Sequence, residues 1–334
     1  MILSTSLQGF SSSRFPKVIL TLGAFDGVHI GHQKVLRRVS NEAKKIGGTA
    51  TLLTFQEHPQ KVLKPHQTTS MLTSFQHKLS LIQQEDMDLC LALHFTREFS
   101  MLSPEAFVKR ILLDKLKVRK VILGHDSRFG HHREGDTHTM AALAKKYGFA
   151  FSVIPPVQKG NFTVSSTLIR RLIAEGDLQS IRRFLGRTYS IMATVVRGTG
   201  RGRKLGFPTA NLNPHSELLP PAGVYVVRVC LTHLKPIRRS KGSISIGGPG
   251  RRRFFPAVMN LGVRPTFEVD RAGGIIPEVY IMGFSGQLYG RMVEVEFLKK
   301  LRNEIKFADP LDLRQQISRD VADAKRFFST FTSQ

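Results

Sequence analysis

The chain has 334 residues, of which 41% are apolar and 22% charged, with 28 Gly and 16 Pro. This balance excludes disordered and fibrous proteins, and the length favours two domains that each bury a core. Lysine and arginine together number 50 against 25 acidic residues, a net charge of +25, so a polyanionic partner such as nucleic acid, a membrane surface or a phosphorylated ligand has to be considered.

The distribution of the charge argues against a nucleic-acid-binding arm. The basic excess is spread over both halves of the chain, and the concentrated patch runs from Lys235 to Arg253 without an acidic residue. This patch also contains Ser, Gly and Pro and has little apolar periodicity, which predicts a solvated, mobile loop.

Cysteine usage and the N-terminus indicate the compartment. Cys90 and Cys230 lie in alternating apolar segments, a pattern that predicts buried thiols rather than a disulfide framework or a CxxC metal site. The first 13 residues lack a basic segment followed by a long apolar one, and no window approaches about 18 apolar residues without charge. We therefore expect a soluble cytoplasmic protein without a membrane partner.

The first half of the chain alternates short apolar runs with segments of helical period. Strands are predicted at 17–23, 49–55, 88–94, 118–124 and 149–155, and helices at 32–46, 73–84, 104–116 and 137–147. Such alternation predicts a doubly wound parallel sheet. Ligands bind at the carboxyl ends of these strands, so chemistry is expected in the turns after Leu22, Phe55 and Leu123.

Beyond residue 185 the pattern changes to alternating stretches at 223–230, 257–261 and 292–297, separated by Gly and Pro, which predicts a small antiparallel barrel. A final helix follows, with Asp309 as N-cap and Pro310 in its first turn. Its apolar face, predicted to pack on the barrel, consists of Leu313, Ile317, Val321, Ala324 and Phe328. We place the domain boundary at 186, giving domains 1–186 and 187–334.

The first motif is LGAFDGVHIGHQ at 22–33, where the first strand turns into a helix. His29 and His32 are spaced i, i+3 at a helix N-terminus, so their rings, the backbone amides and the helix dipole form a site for phosphate oxygens. By themselves, two histidines at the start of a helix could be ordinary residues without a role in binding. The glycines before and between them allow close backbone approach and favour the phosphate site.

The second motif is VSSTLIR at 164–170, in which hydroxyl groups open a helix and Arg170 lies one turn in. By itself it could be an ordinary N-cap with a surface arginine. Paired with the two histidines, it is similar to the second motif of the nucleotidyltransferases that use an HxGH sequence.

Two further segments resemble bacterial FAD synthetases. TFQEHP at 54–59 is similar to their TFxPHP segment, and GHDSRFG at 124–130 to their GxDFRFG segment. Glu57 replaces a proline of that pattern and Ser127 a phenylalanine. An ordinary polar turn after a strand is the alternative for 124–130.

The second half carries GTGRGRKLGFPTANL at 198–212. Glycine amides can surround phosphates, and Thr209 and Asn211 offer neutral oxygens on one side of an extended segment, where they can hold Mg²⁺. This run resembles the ATP and metal site of riboflavin kinases and differs from the GxxxxGK[ST] loop. A glycine- and arginine-rich run alone would be weak evidence.

Glu278 matches the position of the catalytic glutamate of these kinases, in an E-x-H pattern where this chain has Tyr280. A carboxylate at that place can accept the proton of the ribityl 5′-hydroxyl during attack on the γ-phosphate. The alternative is a solvent-facing strand glutamate, like Glu294 and Glu296.

Segments at 223–225 (GVY), 260–267 (NLGVRPTF), 288–290 (LYG) and 301–307 (LRNEIKF) extend the resemblance over nearly the whole chain. The chain thus resembles the bifunctional prokaryotic riboflavin kinases/FAD synthetases. The resemblance implies a Rossmann-like α/β nucleotidyltransferase domain followed by a small antiparallel β-barrel of the riboflavin kinase type with a C-terminal helix.

The resemblance also implies that riboflavin and ATP give FMN in the barrel, and that FMN and ATP then give FAD and pyrophosphate in the α/β domain. Both steps would require Mg²⁺, with riboflavin, FMN, FAD and ATP as ligands, no nucleic-acid partner, and an oligomeric state left open.

The implied site residues fall into five groups. The catalytic ones are Glu278, His29 and His32. ATP of the adenylyl transfer would contact Gly23, Phe25, Asp26, Gly31, Ser165, Ser166, Thr167 and Arg170, and its flavin His58, Asp126 and Arg128. ATP of the kinase would contact Gly198, Gly200, Arg203, Gly206, Pro208 and Thr209, and the metal Thr209 and Asn211.

Two other functions remain open on the residues alone. A nucleotidyltransferase that acts on a different phosphate ester would not need the GFPTAN segment of the barrel. A nucleic-acid-binding protein would account for the net charge, but such proteins usually place exposed aromatic residues among the basic ones, and the basic patch has only Phe254 and Phe255 at its edge.

Overall fold

A computed structural model of the chain describes residues 1–7, 12–57, 70–198, 201–231, 252–263 and 275–331, together with Pro59, Val62, 238–240 and 243–245. These residues form two compact units. Unit 1 draws on Met1–Thr69, Lys78–Ser165 and Leu234–Gly250, and unit 2 on Ser70–His77, Ser166–His233 and Arg251–Gln334.

Sixteen strands are described in chain order. They are β1 (Ile2–Ser4), β2 (Val18–Leu22), β3 (Thr49–Phe55), β4 (Leu89–Leu93), β5 (Lys120–Gly124), β6 (Ala150–Ile154), β7 (Gln158–Lys159), β8 (Phe162–Thr163), β9 (Ser190–Val196), β10 (Ala210–Asn213), β11 (Gly223–Leu231), β12 (Arg238–Ser240), β13 (Ser243–Ser245), β14 (Phe254–Val263), β15 (Ile275–Ile281) and β16 (Met292–Arg302).

The helices of the described residues are α1 (Ile30–Lys45), α2 (Phe75–Ile82), α3 (Arg97–Ser100), α4 (Pro104–Phe107), α5 (Thr137–Tyr147), α6 (Ser166–Glu175), α7 (Leu178–Leu185), α8 (Arg201–Lys204) and α9 (Pro310–Phe331). Helix α4 continues as a π-helical segment over Val108–Lys115, so the predicted helix at 104–116 changes its hydrogen-bonding pattern after one turn.

Unit 1 is built on a parallel sheet with strand order β1-β4-β3-β2-β5-β6. Strands β2 and β4 are buried along their whole length, as expected for parallel strands covered on both faces. Helix α1 contributes Leu36 and Val39 to the buried residues of this unit. The carboxyl ends of β2, β3 and β5 lie on neighbouring strands, which brings the turns after them to one edge of the sheet.

The basic patch does not form only a loop, contrary to the sequence prediction. β12 and β13 pair antiparallel with each other, and β13 pairs antiparallel with β1 at the edge of the sheet of unit 1. The edge strand β1 offers unpaired backbone groups, and these can pair with another strand whatever the side chains of that strand are. Because backbone pairing does not depend on apolar periodicity, the composition of the patch did not reveal these strands. The rest of the patch, apart from Arg252 and Arg253, lies outside the described residues.

Unit 2 contains a closed antiparallel barrel with strand order β10-β15-β14-β11-β16-β9. Helix α9 packs on it through Val321 and Ala324, which contact a cluster that includes Val224, Val226 and Val258. The predicted packing of the last helix is therefore confirmed. So is the predicted fold class: a Rossmann-like α/β unit, an antiparallel barrel and a C-terminal helix.

Both cysteines are free and buried, as predicted. Burial raises the pKa of the Cys90 thiol to about 12. Within the described ranges, no helix combines the length and the apolar character needed to cross a membrane.

The N-cap of α9 yields a stability prediction. The Leu311 N–H donates to Oδ1 of Asp309 at 2.8 Å. Because loss of an N-cap acceptor leaves a helix N–H unsatisfied, we expect Asp309→Ala to lower the free energy of unfolding by about 1 kcal/mol in urea denaturation. Asp309→Asn keeps an acceptor and should cost less than half of that; equal losses in the two variants would contradict the capping role.

Candidate functional sites

The turn after β2 brings the two predicted histidines together. His29 is the N-cap of α1, and its Nδ1 accepts the His32 N–H at 3.2 Å. The two rings stack with centroids 3.6 Å apart and an interplanar angle of 13°. Since Nδ1 acts as an acceptor, we assign the proton of a neutral His29 ring to Nε2, which makes that atom a donor. A Cβ atom at Gly31 would lie 3.1 Å from the His29 ring, so glycine permits this close packing.

The backbone of this turn is strained. Phe25 and Val28 adopt positive φ angles of 52° and 37°, which are rare for side chains with a Cβ and particularly so for a β-branched residue. The Phe25 ring lies 4.8 Å from the His32 ring, and Asp26 is buried. Strained backbone of this kind persists where surrounding contacts hold it and concentrates at functional sites.

The turn after β5 holds two of the predicted flavin-side residues. The Ser127 N–H donates to the Gly124 carbonyl at 3.2 Å, which closes a polar turn. Arg128 donates to Oδ2 of Asp136 at 3.3 Å, and Asp136 caps α5. Hydrogen bonds from Thr139 lower the pKa of this Asp136 carboxyl. Asp126 is exposed.

Some predicted residues belong to unit 2 or lie outside the described residues. His58 and Gly200 lie outside the described residues. Ser165 is the last residue of its segment in unit 1, whereas Ser166, Thr167 and Arg170 belong to α6 of unit 2. Arg170 donates from Nε to the Ser70 carbonyl at 3.3 Å.

A lysine that the sequence analysis did not select lies beside the turn after β2. Lys78 of α2 is buried, and its Nζ donates to the Ala24 carbonyl. The available signal was a charged residue on an otherwise apolar helix face, one turn before Leu81 and Ile82. Such residues are rarely buried without polar partners, but the sequence does not show where those partners are.

In unit 2, glycines pack against the two predicted metal ligands. A Cβ atom at Gly198 would lie 1.8 Å from Nδ2 of Asn211, and one at Gly202 would lie 2.7 Å from Oγ1 of Thr209. Gly206 has a φ of 86°, which favours glycine. The other predicted ATP contacts of this segment, Arg203 and Pro208, are exposed.

Strand register brings Asn211 and Glu278 together. Asn211 of β10 lies directly opposite Glu278 of β15, and Glu278 lies directly opposite Asn260 of β14. Residues opposite each other in antiparallel strands have side chains on the same face, so these three form one row across the barrel. Asn211 is buried, and Glu278 and Asn260 are half-buried.

The other two strand glutamates differ from Glu278, and the expectation that they face solvent is wrong. Glu294 and Glu296 are buried and pair with arginines: Arg252 donates to Glu294, and Arg228 to Glu296. Burial raises the pKa of Glu296, partly offset by Arg228. Buried carboxylates are retained where cations satisfy them, which accounts for these two strand positions.

Tyr280, which stands where the family pattern has histidine, has an apolar setting. Its ring meets Phe207 edge to face, with centroids 5.5 Å apart, and it packs against the cluster under α9. Edge-to-face contact is a favourable arrangement of aromatic rings. The tyrosine therefore contributes packing two residues beyond Glu278, on the same face of β15.

The donor set of unit 2 fits a hard cation. In the part of the chain that the structure describes, no three His, Cys, Asp or Glu side chains are grouped to hold a metal ion. Thr209 and Asn211 instead supply neutral oxygens beside glycines that leave space where a Cβ would intrude. Mg²⁺ prefers oxygen ligands and is commonly held by few protein groups together with substrate phosphates, so these residues fit Mg²⁺.

Comparison with known proteins agrees with both halves of the chain. The family model for FAD synthetase matches residues 11–168, and that for riboflavin kinase matches residues 185–328. A solved structure titled as a macrolide-efflux protein from Streptococcus pneumoniae has a TM-score of 0.77 at 24% identity and covers 97% of this chain and 99% of its own, which shows a shared fold.

Curated relatives named bifunctional riboflavin kinase/FMN adenylyltransferase are similar over nearly the full length. The one from Haemophilus influenzae is 34% identical over 93% of this chain and 94% of its own. The one from Escherichia coli K12 is 32% identical over 98% of both chains, and that from Listeria monocytogenes 33% over 93% and 92%. The chain therefore belongs to the family of bifunctional riboflavin kinase/FMN adenylyltransferases.

Proposed function

We propose that the two reactions of this family take place at two separate sites of the chain. As a member, the chain is a bifunctional transferase that phosphorylates riboflavin to FMN and adenylylates FMN to FAD. Adenylyl transfer is assigned to residues 1–186 and phosphorylation to residues 187–334. The family models at 11–168 and 185–328 support this division.

Glu278 is the proposed base of the kinase reaction. The observation that carries this assignment is the register that sets Glu278 opposite Asn211 on one face of the barrel. A carboxylate on this face accepts the proton of the ribityl 5′-hydroxyl while the oxygen attacks the γ-phosphorus of ATP and ADP leaves. The segment around Gly198, Arg203, Gly206 and Pro208 supports the phosphates.

Thr209 and Asn211 are the proposed ligands of Mg²⁺ in the kinase. When bound, Mg²⁺ neutralises the phosphate charge that develops during transfer. Asn211 is held by strand pairing on both sides, to Val196 and to Glu278, so its amide oxygen is presented by rigid backbone. Rigid support of this kind favours precise positioning of a ligand oxygen.

His29 and His32 are the proposed stabilisers of charge in adenylyl transfer. An oxygen of the FMN phosphate attacks the α-phosphorus of ATP, and pyrophosphate leaves, so no covalent intermediate with the enzyme is needed. The His29 cap commits Nδ1 to the His32 N–H and makes Nε2 the donor toward a phosphate oxygen. Mg²⁺ is proposed for this step as well.

The remaining residues keep the roles that the family resemblance implies. Ser165, Ser166, Thr167 and Arg170 are proposed to bind ATP of adenylyl transfer, with Gly23, Phe25, Asp26 and Gly31 of the turn after β2. His58, Asp126 and Arg128 are proposed on the flavin side. We place both reactions in the cytoplasm, a location that the two free, buried thiols support.

His32→Ala tests the adenylyl-transfer site. Because the variant removes one stabilising group from the turn after β2, we expect FAD formation from FMN to fall about 100-fold to 1,000-fold. Riboflavin phosphorylation by the same protein should stay within twofold. Both rates are read by chromatographic separation of the flavins over time. Equal loss of both activities in a folded variant would contradict the assignment.

Glu278→Gln tests the kinase base. The amide cannot accept the hydroxyl proton, so FMN formation should fall on the order of 100-fold or more, as expected for loss of general base catalysis. With FMN supplied, the variant should make FAD at the wild-type rate. Retention of more than half of the kinase rate would exclude Glu278 as the base.

Asn211→Ala tests the metal site. We expect the Mg²⁺ concentration for half-maximal riboflavin phosphorylation to rise about tenfold or more, since loss of a metal or supporting contact commonly costs 10- to 100-fold in metal affinity.

Asn213→Ala is the matched control for this test, because it changes the same residue type on the same strand, where the side chain accepts the His215 N–H at 3.0 Å. Its Mg²⁺ dependence should equal that of the wild type. A similar shift in both variants would remove Asn211 from the metal site.

A further inference from the structure

Lys78 is a buried ammonium group surrounded by oxygen acceptors in unit 1. The residue is 6% exposed. Its Nζ donates to the Phe55 carbonyl at 2.9 Å, to the Ala24 carbonyl at 3.1 Å and to Oγ1 of Thr54 at 3.2 Å. The three acceptors match the three donors of an ammonium group.

These acceptors belong to two different segments of the adenylyl-transfer site. Ala24 lies in the turn after β2, between Gly23 and the left-handed Phe25. Thr54 and Phe55 end β3, where the flavin-side segment 54–59 begins. The Thr54 hydroxyl also donates to the Ala24 carbonyl at 3.3 Å. Lys78 and Thr54 therefore link the start of one turn to the start of the other.

Burial of a charged group at this place is costly. Desolvation lowers the pKa of Lys78 to about 8, and the Asp26 carboxylate of the same turn acts in the opposite direction. An apolar side chain of similar length would fill the volume without that cost. Such a side chain could not donate hydrogen bonds to the Ala24 and Phe55 carbonyls, however.

We propose that Lys78 is a positioning residue for FMN adenylylation, which sets the spacing between the ATP-side turn at 23–29 and the flavin-side segment that begins at Thr54. It acts through Ala24, Thr54 and Phe55. The proposal rests on the assignment of adenylyl transfer to the turn that holds His29 and His32.

The geometry explains why the spacing matters for the reaction. In-line attack requires the FMN phosphate and the α-phosphorus of ATP to be held in contact, and a misplacement of about 1 Å can lower the rate on the order of 100-fold. Phe25 and Val28 adopt positive φ angles, which persist only where surrounding contacts hold the backbone, and the hydrogen bonds from Lys78 and Thr54 to the Ala24 carbonyl are such contacts.

The test compares Lys78→Met and Lys78→Gln in the full chain. Methionine fills the volume without donating, whereas the glutamine amide keeps two N–H donors. For Lys78→Met we expect kcat/KM for FMN adenylylation to fall on the order of 100-fold, with KM raised for both FMN and ATP. Lys78→Gln should recover at least tenfold of that loss. Riboflavin phosphorylation should stay within twofold in both variants.

Leu81→Ala controls for stability, because Leu81 is a buried apolar residue of the same helix. Thermal unfolding is measured for all variants. If Leu81→Ala lowers Tm as much as Lys78→Met does, its kcat/KM for FMN adenylylation should still stay within a few-fold of the wild-type value. Equal loss of adenylylation in these two variants, or unchanged kinetic parameters in Lys78→Met, would overturn the proposal.

Thr54→Val provides a second route if Lys78→Met does not fold. It removes an acceptor of Nζ and a donor to Ala24 while it keeps the shape of the side chain, and it should raise KM for both substrates of adenylylation, whereas Thr54→Ser should not. Unchanged KM values in Thr54→Val would count against the link.

His32→Ala in the same assays distinguishes a wrong assignment of the adenylyl-transfer site from a wrong role for Lys78. If His32→Ala leaves adenylylation intact, the site assignment fails. If His32→Ala loses adenylylation but Lys78→Met keeps it, the positioning role fails and the site assignment stands.

Discussion

A polar group that is removed from water must find a partner inside the protein, and this requirement shapes both units. In unit 1 the ammonium group of Lys78 is satisfied by two carbonyls and a hydroxyl, which join the ends of β2 and β3. In unit 2 the Glu217 carboxylate accepts from the Ser74 N–H at 2.8 Å and the Met192 N–H at 3.1 Å and meets Nδ1 of His77 at 3.0 Å. These buried groups fix Ala24 and Ser74, which lie outside the strands and helices, and connect them to groups that hydrogen-bond with β3 and β9.

The same requirement governs the attachment of the C-terminal helix. Arg302, at the end of β16, donates to both carboxylate oxygens of Asp320 on α9, with Nη2 at 2.7 Å from Oδ2. Two-point pairing of this kind fixes orientation as well as distance. It accompanies the apolar contacts of Val321 and Ala324, and together they hold α9 over the face of the barrel that carries Tyr280. Glu278 therefore lies between the packed Tyr280, two residues along β15, and the polar Asn211 and Asn260 on the neighbouring strands.

Both proposed sites use backbone geometry to present side chains. The His29 cap turns one ring nitrogen toward the helix and leaves the other as donor, and the glycine at 31 allows the ring to lie close. In the barrel, glycines at 198 and 202 allow Asn211 and Thr209 to be approached at distances that a Cβ would prevent. In each case a glycine of a sequence motif lies close to a side chain that is proposed to bind phosphate or metal: Gly31 to His29, Gly198 to Asn211 and Gly202 to Thr209.

Sequence alone determined the order and type of the main strands and helices of the parallel sheet, the change to an antiparallel barrel with a final helix, and the family, whereas it did not predict β1 or β12 and β13. Hydrophobic periodicity predicted β3 and α5 with their observed bounds. A strand that is buried on both faces is a continuous apolar run, and a helix that is buried on one face has apolar residues at helical spacing. The reactions were indicated by the resemblance of the motifs around His29, Thr209 and Glu278 to those of a known family, because the residue types alone left other interpretations open. Tertiary structure decided what depends on contacts distant in sequence: the register that sets Glu278 opposite Asn211, the burial of Glu294 and Glu296 against arginines, the pairing of 243–245 with β1, and the acceptors around Lys78. The reason is that a strand partner or a buried hydrogen bond joins residues tens of positions apart, and no local pattern specifies which residue will lie opposite.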